Sequence, residues 1–167
     1  EGCTGLTEIG IPESVTEIWH YAFSGCTGLR RVELPGSVER IGYRIFNNCS
    51  NLEEANYPVG WTESISNSSY SSGSSCQGNI FYGCTKLKKV SVPEGVTSIP
   101  TCAFANCSQI EEISLPTTLT GTGTYAFYKC AGISSIELPK SLKYINRYMF
   151  EGCTGLTEIG IPESVTE

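Results

Sequence analysis

Cysteine is the residue in this sequence whose number and spacing could do chemistry. Nine are present. Seven of them, Cys3, Cys26, Cys49, Cys84, Cys107, Cys130 and Cys153, recur at one fixed spacing that is broken only by a longer interval between Cys49 and Cys84. A row of thiols could hold metal or form bridges. Zinc needs clustered C-x-x-C pairs or histidines within reach, and His20 is the only histidine. A disulfide needs converging Cβ vectors, whereas side chains stacked in register point the same way. The seven are therefore read as a structural column of small buried hydrophobes. Cys76 and Cys102 stand outside it. Cys102 lies two residues before Phe104 and Cys76 five before Phe81, which places both at one edge of neighbouring coils. They are the expected disulfide pair.

Other chemistry has little to stand on. No serine or cysteine has a second base to pair with, and no glycine-rich phosphate loop follows a strand. No cofactor is implied. A net charge of −6 speaks against nucleic acid, whose phosphates need a basic patch. No apolar run is long enough to span a membrane. The chain reads as non-enzymatic.

The elements that carry the cysteines are repeats. Phenylalanine precedes cysteine by three residues at Phe23, Phe46, Phe81, Phe104, Phe127 and Phe150, and proline follows it by nine in all seven units, from Pro12 to Pro162. The unit reads F-x-x-C-x-x-L-x-x-I-x-L-P-x-x-V-x-x-I-x-x-x-A. Its L-x-x-I-x-L stretch alternates apolar and polar as a strand with one buried face should. The proline ends that strand, having no N–H for the ladder. V-x-x-I predicts a second short extended segment, and A-F a one-turn helix. Stacked copies bury a core that one copy cannot. The predicted fold is a right-handed solenoid of about seven coils, with one strand of a parallel sheet in each.

The stretches AFSGCTGLRRVELPGSVERIG and IFYGCTKLKKVSVPEGVTSIP resemble the BspA-like leucine-rich repeats, the Treponema-pallidum-type class with 23-residue units. The resemblance covers essentially the whole chain. It departs at a twelve-residue excess between Cys49 and Phe81, and at Thr122, where the pattern wants isoleucine. It implies a surface-exposed or secreted protein of a host-associated bacterium or protist, often linked to adhesion. An oxidising location would suit the Cys76–Cys102 bridge.

Aligned units place corresponding residues of successive coils side by side. Two residues per coil then alternate in sign: Arg30 and Arg31, Glu53 and Glu54, Lys88 and Lys89, Glu111 and Glu112. Opposite charges across a ladder attract, and a slip by one coil would set like against like. This charge ladder is expected to set register rather than to bind ions.

The excess forms a serine-rich insertion at about 64–80, predicted to lie on the surface and to serve in contacts. It holds the sequon at Asn67, the candidate glycosylation acceptor. The sequons at Asn48 and Asn106 occupy a turn where Gly25, Gly83 and Gly152 stand in sister coils, so asparagine there is expected to adopt positive φ. Tyr21, Tyr43, Tyr82, Tyr125, Tyr128 and Tyr148 cluster near the A-F turns and are expected to pack between coils, with hydroxyls outward.

Residues 151–167 repeat residues 1–17 letter for letter, whereas residues 24–40 match 1–17 at only eight of seventeen positions. The fold therefore does not demand such identity. The expectation is a super-period running from position 1 to position 150 within an uncapped solenoid, part of a long extracellular tandem array or filament whose partner is itself. The alternative is a cell-surface adhesin module contacting host protein or glycan through its loop or sheet face.

Overall fold

The computed structural model describes residues 1–61, 63, 64 and 79–166, with the backbone alone at 63 and 64. Its described strands are short: β1 (Glu17–Ile18), β2 (Arg31–Val32), β3 (Arg40–Ile41), β4 (Glu54–Asn56), β5 (Glu63–Ser64), β6 (Lys89–Ser91), β7 (Ser98–Ile99), β8 (Glu112–Ser114), β9 (Gly121–Thr122), β10 (Ser135–Glu137) and β11 (Glu158–Gly160). The L-x-x-I-x-L stretches give one sheet, β2-β4-β6-β8, and beyond it the pair β10-β11. The V-x-x-I stretches give a second, β1-β3-β5, and the pair β7-β9. All pairing is parallel, with Arg31 opposite Glu54, Glu54 opposite Lys89 and Lys89 opposite Glu112. The chain therefore leaves after β5 and returns before β6 without shifting the first sheet by a residue.

The predicted one-turn helix is not formed. In its place the described A-F segments build a third ladder. Tyr21, Phe23 and Gly25 donate their N–H groups across to Tyr43, Ile45 and Asn47 of the next coil, at 2.8–3.2 Å. The residues between them, Ala22, Ser24 and Cys26, donate three residues back within their own coil. Alternate donors point in opposite directions, so i→i−4 bonding cannot start. The left-handed backbone of Tyr21, Arg44, Cys102, Tyr125 and Tyr148, with φ between 54° and 60°, enforces that alternation, because helical residues need negative φ.

A second left-handed position precedes each cysteine. Glycine fills it at 2, 25, 83 and 152, and Asn48 and Asn106 hold φ of 57° and 64° as expected. Lys129 does the same at 56°, where a Cβ-bearing residue without asparagine's local hydrogen bonding costs about 1 kcal/mol. Its ammonium lies 5.0 Å from the centre of the Tyr128 ring, which offsets part of that cost. Lys129→Gly is expected to stabilise the protein by up to about 1 kcal/mol, read as a raised thermal midpoint.

The core is a spine of parallel phenylalanine rings. Phe46, Phe81, Phe104 and Phe127 are fully buried, with centroids 5.8, 6.4 and 5.5 Å apart and planes within 12° of parallel. Phe23 and Phe150 extend it at either end. Thr122, the departure from the repeat, is accommodated although only 3% exposed. Its hydroxyl donates to Met149 Sδ at 3.3 Å, so the buried oxygen is satisfied.

Candidate functional site

The three ladders fix three candidate surfaces: the cysteine column inside the turn edge, the charged outer face of the first sheet, and the aromatic turn edge. All seven column cysteines are free thiols. Cys3 is exposed, Cys153 is half-buried, and Cys26, Cys49, Cys84, Cys107 and Cys130 are buried. Their role goes beyond filling space. Cys49, Cys84, Cys130 and Cys153 donate their S–H to the carbonyls of Phe23, Phe46, Phe104 and Phe127 in the preceding coil, at 3.0–3.2 Å. The thiol thereby adds a second donor to a carbonyl that already accepts a backbone N–H within its own coil, as Phe23 O does from Cys26 N at 3.3 Å. Burial pushes Cys49 up to about 11 and Cys107 up to about 12, and raises Cys84 and Cys130 well above the ordinary thiol range. At pH 8 only about one such thiol in a thousand or fewer is a thiolate, the nucleophilic form. Iodoacetamide on the native protein is expected to modify Cys3 first and to leave Cys49, Cys84, Cys107 and Cys130 intact, as peptide mapping will read.

Cys76 lies outside the described residues. Cys102, its proposed partner, is buried against Ala105, Tyr125 and Tyr128. The bridge is tested in the same experiment: unfolded without reductant, the chain should label at seven thiols, and at nine after reduction. Nine without reduction would remove the bridge. Asn67 and most of the serine-rich insertion also lie outside the described residues.

On the sheet face, Arg30 meets Glu53 at 3.9 Å and Arg31 meets Glu54 at 3.7 Å. Lys88 meets Glu111 and Lys89 meets Glu112, both at 2.9 Å. These groups are exposed, so each pair contributes about 0–1 kcal/mol. All four pairs join residues of facing coils. The second sheet adds a pair that sequence reading missed, Arg40 with Glu17 at 2.7 Å.

Two further arrangements were not legible beforehand. In regular coils the residue before proline donates its N–H to the next coil's backbone, as Tyr57 does to Ser91 at 2.9 Å. Leu34 instead donates to Asn56 Oδ1 at 2.6 Å, while Asn56 Nδ2 donates to Leu34 O at 2.8 Å. Asn56 also lines a groove of about 580 Å³, together with Leu34, Pro35, Tyr57, Pro58, Glu33 and Glu94. Beside it, the Glu94 carboxylate accepts the Thr117 N–H at 2.9 Å and the Thr117 hydroxyl at 3.0 Å. Those donors favour the anion and hold Glu94 below its ordinary pKa of 4.5. A depressed folded pKa contributes stability that is present above the unfolded value and lost as pH falls through the folded one. Glu94→Gln is expected to flatten the stability curve below about pH 4.5 and to leave its shape at neutral pH unchanged, as denaturation at stepped pH will read.

At the turn edge the rings pack against one another. Tyr125 stacks on Tyr148 at 4.6 Å and meets Tyr128 edge-on at 5.3 Å. His20 stacks on Tyr43 at 3.9 Å, and Tyr21 meets Tyr43 edge-on at 5.3 Å. His20 is held as an acceptor, its Nδ1 receiving the Tyr43 N–H at 3.0 Å, and partial burial lowers its pKa. Trp19 and Tyr148 remain 58% and 52% exposed. Among the described residues, no three His, Cys, Asp or Glu side chains gather into a group able to hold a metal ion.

Parallel coils, a leucine-rich strand in each and a phenylalanine-cysteine turn define a leucine-rich-repeat solenoid. The pattern described as BspA type leucine rich repeat region, in 6 copies, matches residues 1–78 and 74–167, and the chain belongs to that family. Among solved structures it is similar to a leucine-rich repeat protein from Bacteroides ovatus (TM-score 0.81, 28% identity) and to the T. pallidum leucine rich repeat protein (0.71, 32%). A third is a leucine rich cell surface protein from Faecalibacterium prausnitzii (0.52, 30%). These similarities cover 99%, 89% and 89% of this chain but 39%, 64% and 30% of those chains, so the chain spans less than two thirds of each. No curated protein matches the sequence.

Proposed function

We propose that the chain is a non-enzymatic extracellular structural segment, one period of a longer array in which coil stacks on coil without interruption. One observation carries this reading. The identical stretches 1–17 and 151–167 sit in different surroundings, and together they account for both faces of one coil. Residues 1–17 engage the coil that follows: Gly2 N donates to Ser24 O at 2.7 Å, Glu39 N donates to Thr16 O at 2.9 Å, and Glu17 pairs with Arg40. Residues 151–166 engage the coil that precedes: Glu151 O accepts from Lys129 N at 2.8 Å, Thr157 N donates to Ser134 O at 3.0 Å, and β11 pairs with β10. The two sets use different atoms, so one coil can hold both neighbours at once.

Chains of one, two and three periods, compared by small-angle scattering and negative-stain electron microscopy, test the proposal. With six coils per period and adjacent coils about 4.8 Å apart, each added period should lengthen a rigid rod by roughly 29 Å. Separate globules joined by flexible links would overturn it. A second reading, an adhesin for host protein or glycan, draws on the Asn56 groove, beside which Val59 stands 40% exposed, and on the name of the Faecalibacterium relative. Val59→Asp should then abolish attachment of protein-coated beads to host cells, and unchanged attachment would discard that groove as the binding surface.

A further inference from the structure

The turn edge carries two aromatic groups at opposite ends of the solenoid. Trp19, His20, Tyr21 and Tyr43 form one, and Tyr125, Tyr128 and Tyr148 the other. Among the described residues, each has one ring that meets another from one neighbouring coil. Tyr148 has Tyr125 on one side at 4.6 Å with planes 11° apart, and is 52% exposed. Tyr21 meets Tyr43 on the side of the next coil.

We infer that these are two halves of a single aromatic cluster, completed when Tyr148 of one period stacks on Tyr21 of the next. The surface is an interface, and its partner is a second copy of this sequence. The inference rests on the array reading and adds a residue-level account of the junction. Register supports it directly. In the turn ladder, Tyr125 N donates to Arg147 O, Phe127 N to Met149 O and Lys129 N to Glu151 O. Each donor thus reaches the carbonyl just before its own counterpart in the next coil. The same rule applied to Tyr148, Phe150 and Gly152 gives the carbonyls of His20, Ala22 and Ser24 in the next period. The last of these rungs is already present, because Gly2 is identical to Gly152 and donates to Ser24 O at 2.7 Å. The tyrosine pair therefore lies two rungs from a contact seen in this structure. The phenylalanine spine follows the same rule: Phe150 and Phe23, half-buried here while the four inner rings are fully buried, become neighbours at the junction. Tyr148 and Tyr21 hold the same position of their coils with left-handed φ of 59° and 57°, as does Tyr125 at 60°, the ring on which Tyr148 stacks.

Photo-oxidative tyrosine coupling with a ruthenium sensitiser and persulfate tests this on a two-period chain. Each coupled ring loses one electron and one proton as an ortho carbon–carbon bond forms, and one persulfate is reduced to two sulfates. Peptide mapping should return a Tyr148–Tyr21 linked peptide in yield comparable to the Tyr125–Tyr148 peptide, the internal control. Tyr21→Phe in the second period should abolish the first peptide and spare the control. If only the control peptide forms while scattering shows a rod of doubled length, the aromatic junction is overturned and the array stands. If only the control forms and the rod does not lengthen, the array reading fails and this inference with it.

Discussion

Replacing Phe104 with alanine is expected to lower the unfolding free energy by about 3–5 kcal/mol, the largest single-site loss anticipated in this chain. Phe104 is fully buried, stacked between Phe81 and Phe127 and tilted against Tyr57 at 6.3 Å. Deleting a ring removes its transfer free energy and leaves a cavity whose cost depends on how far the walls can close. Here they can close little. Phe104 N donates to Ala126 O at 2.9 Å, and β6 pairs with β8 on the far side of the coil, so the coil spacing is set by backbone. Phe150→Ala at the half-buried end of the same spine should cost less, about 1–2 kcal/mol. Urea titration measures both. Equal losses would mean that the spine does not depend on its central rings.

Asn79→Leu should cost about 2–4 kcal/mol, because it strands two buried backbone groups at once. Asn79 is 3% exposed. Its Oδ1 accepts the Phe81 N–H at 2.8 Å, and its Nδ2 donates to the Ala105 carbonyl and to Cys107 Sγ. Leucine keeps the branched shape, leaves no cavity and makes none of these bonds, so the loss does not report on cavity formation. Hydrogen exchange at the Phe81 amide should accelerate in the variant by more than global unfolding predicts. A stability change under about 1 kcal/mol (one neutral hydrogen bond) would show that water or a backbone shift replaces the amide.

The columns were legible because they are written in side-chain type. Phenylalanine, cysteine and proline at fixed offsets give the coil and its core, and the alternating Arg/Lys and Glu pairs give the facing residues of the first sheet. The turn ladder was not legible, since its left-handed residues include Tyr21, Arg44 and Cys102, none a type that signals positive φ. The position before cysteine was readable at Asn48 and Asn106 and hidden at Lys129 for the same reason. Asn56 and Asn79 escaped on different grounds. A side-chain amide that replaces a backbone partner is recognised only once the place where two coils part is known, and nothing in the repeat pattern marks that place. The thiol-to-carbonyl bonds belong with them: the cysteine column was apparent, the phenylalanine carbonyls of the preceding coil that its thiols reach were not.

The coil written twice has a further consequence for heredity. A crossover between the stretches encoding residues 1–17 and 151–167 would add or delete one whole period, and the repeated stretch at the new joint would make on each side the backbone contacts that residues 1–17 and 151–166 make here. Gene copies of different length would then encode proteins that differ in reach and in nothing else, so length could drift between lineages while each coil kept the neighbours it was built for.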